Sequence, residues 1–346
     1  MTRLAIIADD LTGALDSAAP FAMRGLRTLV ALTPAGLQEA LGQGADIVAA
    51  SADSRELAPD AARAAVGACH AQLPAQQAIF KKVDSRLKGN IAAELDAIPH
   101  RRALVVPAIP AFGRWVHKGV LSGFGVDEPV DIAARLGAHA GTAHVPDALV
   151  QSDIEAAVAE GDYDLPVGAR ALAEAMAERM APEGRAPAPT LAARRVIAII
   201  GSADPITREQ VETLRRGMPD LAYIAAPGGE TPEALPLASA LTLVQAVPGA
   251  RPVDATTVAE RLGEVLARLE PEPGTLLVIT GGATAQAVLA RIGIAVLEVV
   301  GEALPGLPIA RAEGFTIITK SGGFGEPDTL LRLLGHVTAT PVENIG

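Results

Sequence analysis

Short apolar runs rich in β-branched residues alternate along this chain with longer Ala-rich stretches. In the first half, residues 4–8, 28–32, 47–50, 78–82 and 103–106 predict strands. Helices are expected over 13–23, 59–71 and 90–97. Strand and helix in alternation imply βαβ crossovers and a mainly parallel sheet. The Pro- and Gly-rich residues 107–125 predict an irregular segment, followed by a strand near His144 and a helix beginning at Ser152, with Glu155 completing a capping box.

Residues 181–190 read APEGRAPAPT, the composition of a linker. Beyond them the pattern restarts. Strands are expected over 196–200, 241–247, 275–280, 296–300 and 315–320, with helices from Thr207 (Gln210 in the box position) and Thr257 (Glu260 in the box position). The chain therefore reads as α/β, with two α/β domains of mainly parallel sheet, 1–185 and 186–346, and a cleft available between them. A length of 346 residues agrees, because it exceeds what one hydrophobic core usually supports.

Composition narrows the function. Hydrophobic residues make up 49% of the chain but aromatics only 3%, so the core is built from Ala, Val, Leu and Ile. A net charge of −11 argues against a nucleic-acid partner, which would need Lys and Arg to neutralise phosphates. The apolar runs are strand-length and fall far short of the roughly 20 residues that span a bilayer, so no membrane partner is expected. A single cysteine, Cys69, and a start without signal-peptide features make the cytoplasm the expected compartment. Homo-oligomerisation stays open.

Candidate chemistry lies where strands end. Asp9 and Asp10 follow the first strand and precede a Gly-containing turn into a helix, at the sheet edge where open α/β folds bind ligands. One helix cap needs one acid, so a second beside it points to function. Lys81 to Asn90 (KKVDSRLKGN) mixes four cations with Asp84, Ser85, Gly and Asn at another strand-to-helix turn, which suits the grip of a carboxylate or phosphate. Arg55, after the third strand, falls on the same edge and suits bidentate capture of a carboxylate.

In the second half, Thr280-Gly281-Gly282-Ala283-Thr284 joins a strand to a helix, where bare glycines and free N–H groups admit a phosphate. Lys320 to Asp328 (KSGGFGEPD) and Gly201-Ser202-Ala203-Asp204 have the same context. Three such loops on one edge read as a nucleotide pocket. Residues 314–321 (GFTIITKS) lack the second glycine of a P-loop, and no paired-Cys or His-Glu-x-x-His pattern marks a protein-held metal.

Taken together, ADDLTGALD (8–16), KKVDSRLKGNIAAELDA (81–97), PAIPAFGR (107–114), GSADPITREQ (201–210), TGGAT (280–284) and KSGGFGEPD (320–328) resemble the four-carbon acid sugar kinase family of threonate, erythronate and 3-oxo-tetronate kinases. The resemblance implies a sugar-acid domain followed by a nucleotide domain, an active site in the interdomain cleft, and ATP with Mg2+. Substrate contacts would fall on Asp9, Asp10, Arg55, Lys82, Val83, Asp84 and Ser85, and ATP contacts on Ser202, Gly281, Gly282, Ala283, Thr284, Gly322, Gly323 and Gly325. Ala283 stands where an acidic residue is frequent in the family, and residues 129–190 form a shorter segment than in many members. Asp10 or Asp84 is expected to take the hydroxyl proton, and Arg55 with Lys82 to hold the acid's carboxylate. The 81–90 segment leans toward threonate and erythronate over the oxo-acid. Two rivals explain less. A haloacid-dehalogenase phosphatase wants Asp-x-Asp, and a non-catalytic sugar-acid sensor of receiver type leaves the later glycine loops without a purpose.

Overall fold

The first strand, β1 (Leu4–Ala8), is buried along its whole length and runs directly into helix α1 (Leu11–Met23). The computed structural model describes residues 2–233, 235, 239–335 and 337–339, which divide into one unit over Met1–Pro187 and another over Ala188–Gly346.

The first unit continues through β2 (Thr28–Ala31), α2 (Leu37–Gly42), β3 (Ile47–Ser51), α3 (Pro59–His70), β4 (Ile79–Lys82), α4 (Ile91–Leu95) and β5 (Ala103–Val106). Next come β6 (Arg114–His117), β7 (Val120–Gly123), β8 (Val130–Asp131), α5 (Ile132–Leu136) and β9 (Ala143–His144). The unit ends with α6 (Gln151–Glu160), β10 (Leu165–Gly168) and α7 (Arg170–Met180). Its parallel sheet has the order β2-β3-β1-β4-β10-β5-β9. From β1 the chain moves to one side for β2 and β3, then crosses to the other for β4. The carboxyl ends of β1, β3 and β4 therefore meet where the winding reverses, the usual ligand position in such sheets.

The second unit holds β11 (Ala192–Ala193), β12 (Arg195–Ile200), α8 (Pro205–Gly217), β13 (Ala222–Pro227), β14 (Leu241–Val247), α9 (Ala255–Arg268), β15 (Thr275–Thr280) and α10 (Gly282–Arg291). It closes with β16 (Val296–Leu304), β17 (Leu307–Ala312), β18 (Phe315–Lys320), α11 (Thr329–Gly335) and β19 (Thr338–Ala339). The order β13-β14-β12-β15-β18-β17-β16 is parallel through β18, after which β17 and β16 run antiparallel. Winding reverses between β12 and β15. Ile197, Ile199, Leu277 and Ile279 are wholly buried there, as a sheet covered on both faces requires.

Several expectations need correction. Helix α1 starts at Leu11 rather than Gly13, because Asp10 is its cap and accepts the Gly13 N–H at 2.7 Å. Asp204 and Asp254 likewise cap α8 and α9, so those helices begin ahead of Thr207 and Thr257. Ser152 heads no capping box. Asp153 instead accepts the N–H groups of Leu149 and Val150 and starts α6 one residue earlier. Residues 107–125 are not irregular but carry the β6–β7 hairpin. The unexpected strand β10 lies between β4 and β5 despite Pro166. Its ladder with β4 begins only at Val167, so the missing proline N–H costs nothing on that side.

Candidate active site

At the reversal point of the first unit, Asp9 and Asp10 leave β1 in different roles. Asp10 Oδ1 accepts the Gly13 N–H, and its Oδ2 accepts the Thr12 hydroxyl at 2.6 Å. Arg55, delivered by the end of β3, donates from Nε to Asp9 Oδ2 at 2.8 Å and from Nη1 to Asp10 Oδ2 at 2.9 Å. Its Nη2 lies 2.9 Å from Asp10 Oδ1 and 3.9 Å from Asp84 Oδ1. One guanidinium thus binds the acids of β1 and faces the acid after β4. Burial alone would raise the Asp9 pKa, but Arg55, Lys82 and Lys81 outweigh it and hold that carboxyl well below its usual range. Reciprocally, Asp9, Asp10 and Asp84 overcome the burial of Arg55 and hold its proton more tightly than usual.

The backbone carbonyl of Asp9 accepts the N–H groups of Ser54 and Arg55, which fixes the β3 loop against the end of β1. Asn90 completes the latch by donating to the carbonyls of Ser54 and Leu57.

Lys81 and Lys82 point to opposite faces of β4, as alternation demands. Lys81, fully buried, pairs with Glu94 at 2.8 Å, and Glu94 also receives the Ser54 hydroxyl at 2.5 Å. Lys82 turns toward α1, where its Nζ donates to the Val83 carbonyl at 2.7 Å. A Cβ on Gly13 would lie 2.5 Å from Asp10 Oδ1 and 2.8 Å from Lys82 Nζ, so carboxylate and ammonium converge over the bare face of this glycine. Asp84 Oδ2 accepts the N–H groups of Arg86 and Lys88 and shapes the turn that follows β4. Ser85 Oγ accepts a bond from Arg114 Nη1 at 2.6 Å. The side chain of Val83 is buried, and both of its backbone polar groups bond within the chain, to Gly168 and Lys82.

In the second unit, the loops after β12, β15 and β18 share one sheet edge. Gly281, at φ +96°, turns the chain into α10, a backbone conformation open to glycine and costly for other residues. No side chain caps α10, which leaves the N–H groups of its first turn, at Gly282, Ala283 and Thr284, directed outward with the positive end of the helix dipole. Glycine lets these loops close up. A Cβ at Gly201 would overlap the Thr284 side chain, and one at Gly322 would overlap Ser202.

Lys320 ends β18 fully buried, and its ammonium donates to the carbonyls of Ser321 (2.8 Å), Gly322 (3.2 Å) and Phe324 (2.9 Å). Burial, opposed by Asp204, lowers its pKa to about 8. Thr207 holds the Gly322 carbonyl at 2.7 Å, and Gln210 holds those of Phe324 and Glu326. The loop carrying Gly322, Gly323 and Gly325 is thus folded around its own lysine.

The structure brings together Asp9, Asp10, Arg55, Lys82, Asp84 and Ser85 in the first unit. Ser202, Gly281 to Thr284, and Gly322 to Gly325 gather in the second. Sequence reasoning assigned no role to Gly13, Arg114 or Lys320, although each stood in a motif it singled out. Arg55, expected to hold the acid's carboxylate, is paired in the structure with Asp9 and Asp10.

Comparison with known proteins covers both units. A family model described as a sugar-binding N-terminal domain matches residues 4–186, and one described as a nucleotide-binding C-terminal domain matches 230–330. A D-threonate kinase of Bordetella bronchiseptica is 31% identical over 95% of this chain and 96% of its own length. A D-threonate kinase of Cupriavidus necator is 32% identical, with 94% and 95% covered. A 3-oxo-tetronate kinase of Methylobacterium radiotolerans is 28% identical, with 96% and 98% covered. Solved structures from Salmonella typhimurium LT2 and Haemophilus influenzae share the fold at TM-scores of 0.70 and 0.66, with 20% and 21% identity, covering 96% of this chain and 98% and 99% of theirs. No helix among the described residues is long and apolar enough to cross a membrane. With matches to both domain models and to kinases along nearly its whole length, the chain belongs to the four-carbon acid sugar kinases, phosphotransferases with an alcohol group as acceptor.

Proposed function

We propose that this kinase transfers the γ-phosphoryl group of ATP to the terminal (C4) hydroxyl of a four-carbon sugar acid, with D-threonate or D-erythronate as acceptor and a 3-oxo-tetronate as the alternative. The observation that carries the reading is the acid cluster at the end of β1. Asp10 is fixed by a backbone N–H, the Thr12 hydroxyl and Arg55, with Asp84 facing the same guanidinium. Carboxylates held at a set orientation accept hydroxyl protons, which is what a sugar alcohol offers.

In the reaction the acceptor oxygen forms a bond to the γ-phosphorus, the bond from that phosphorus to the β,γ-bridging oxygen breaks, and ADP leaves. The hydroxyl proton passes to Asp10 or Asp84. At the other site, the free N–H groups of Gly282, Ala283 and Thr284 suit phosphate oxygens, and the loops of Ser202 and Gly322 to Gly325 would line the nucleotide. Lys320 does not reach out to phosphate in this arrangement, since its donors hold its own loop.

Mg2+ usually keeps several waters and binds through one or two carboxylates plus the substrate's phosphates. Among the described residues no group of three His, Cys, Asp or Glu side chains is placed to hold a metal ion. Asp204, beside the nucleotide loops, fits the part of a single carboxylate toward an ion brought in on ATP. Bound there, Mg2+ would neutralise charge on the transferring phosphate.

The two D-threonate kinases above 30% identity favour D-threonate as the first acid to test. Purified protein should release ADP from ATP and Mg2+ only when a four-carbon acid is present, with the phosphorylated acid visible by 31P NMR. Acid-independent ADP release would refute the proposal. Phosphate release from the phosphorylated acids without ATP would point to a phosphatase instead.

A further inference from the structure

The cations of the first unit are not equivalent. Arg55 is charge-balanced by Asp9 and Asp10, and Lys82 lies against the first turn of α1 beside Asp10. Arg114, at the start of β6, differs from both. It is 8% exposed, and all its hydrogen bonds go to neutral acceptors: Nε and Nη2 to the Phe124 carbonyl at 3.1 and 2.8 Å, and Nη1 to Ser85 Oγ. Among the described residues no carboxylate forms an ion pair with it. Asp84 attracts it and Arg86 repels it from nearby, and burial together with Arg86 leaves its pKa lowered.

Of the five N–H groups of a guanidinium, three bonds leave two free. A Cβ on Gly125 would stand 3.3 Å from Nη2, so the glycine leaves that nitrogen uncovered. A buried guanidinium without a counter-ion is costly unless an anion joins it. It is also the group best shaped for a carboxylate.

We propose that Arg114, with Ser85 and Arg86 beside it, receives the carboxylate of the sugar acid and is the residue by which this enzyme selects acids over uncharged polyols. The inference rests on the function proposed above and adds an orientation to it. Asp9, Asp10 and Asp84 repel a carboxylate but accept hydroxyls. The acceptor therefore lies with its hydroxyl end toward Asp10 and its acid end toward Arg114. Arg55 becomes a positioning residue that holds the acids in place.

The test compares wild type, Arg114→Gln and Arg114→Lys on the four-carbon acid that the wild type turns over and on the primary amide of that acid, at saturating ATP. Loss of one charge-assisted contact should raise the acid KM of Arg114→Gln by about 10- to 100-fold. Its kcat/KM for the amide should fall by no more than about threefold, because the glutamine side chain can replace the neutral contact that the guanidinium made to the substrate amide. Arg114→Lys should keep part of the preference. An unchanged acid KM, or equal losses on acid and amide, overturns the inference. If Arg114→Gln does not fold, the acid-to-amide ratio of Arg114→Lys decides, and a wild-type ratio would overturn it. A wild type that turns over no acid refutes the kinase reading itself, which separates the two failures.

Discussion

Lys320 offers a quantitative test of how the nucleotide loop is built. Its ammonium is fully buried, and its pKa is lowered from 10.5 to about 8, chiefly by burial. Below pH 8 both folded and unfolded chains carry the proton, and the folded state bears the whole penalty of a buried charge. Between 8 and 10.5 the unfolded chain still binds the proton while the folded one has released it, so stability rises with pH across this window. The displacement amounts to about 3 kcal/mol at about 1.4 kcal/mol per pH unit. Replacing the lysine by methionine removes the titration while nearly keeping the volume. Urea unfolding followed by far-UV circular dichroism, at half-unit steps from pH 7.5 to 10.5, should show wild-type stability climbing relative to Lys320→Met by about 3 kcal/mol, with other titrating groups cancelling in the difference. The ATP KM of the variant should rise, since three loop carbonyls lose their donor. A flat difference across the window would refute the reasoning, because it would mean that the ammonium is solvated and the loop is not folded around it.

Gly13→Ala places a methyl group 2.5 Å from Asp10 Oδ1, and displacement of that acid should lower kcat by about 100-fold with little change in ATP KM, as steady-state kinetics would show. Lys81→Met strands Glu94 as a buried, unpaired carboxylate and should cost about 3–5 kcal/mol in urea unfolding, most of it recovered in Lys81→Met/Glu94→Leu. Gly281→Val forces a β-branched residue to φ +96° and should cost about 1–3 kcal/mol while raising the ATP KM, measured by thermal melts and ATP titration.

Much of this was legible because parallel sheets impose a rule. Residues just after the strands collect at one edge, so Asp10, Arg55 and Asp84 could be grouped from strand ends alone, as could the loops at Gly281 and Gly322. The chain does not reveal which polar residues consume one another. Arg55 has the composition of a carboxylate clamp, and only the geometry pairs it with Asp9 and Asp10. Lys320 gained its role only from the geometry, which shows its ammonium holding three carbonyls of its own loop. Arg114 sits in a stretch whose Pro and Gly content hides a hairpin. The helix starts were misplaced for a related reason: acids that cap, such as Asp204, precede the apolar rhythm by a few residues.

The two lysines that end β4 have a consequence for how this protein can change. Lys81 and Lys82 share a sequence and a charge, yet the pleat sends one to Glu94 and the other to the first turn of α1. A single residue inserted in β4 ahead of Lys81 would move that lysine to the other face, turning the structural ammonium toward the acids and leaving Glu94 opposite the residue that precedes it. This strand is therefore intolerant of length change in steps of one, and the drift in length between kinases of this kind must be absorbed in the connections outside it.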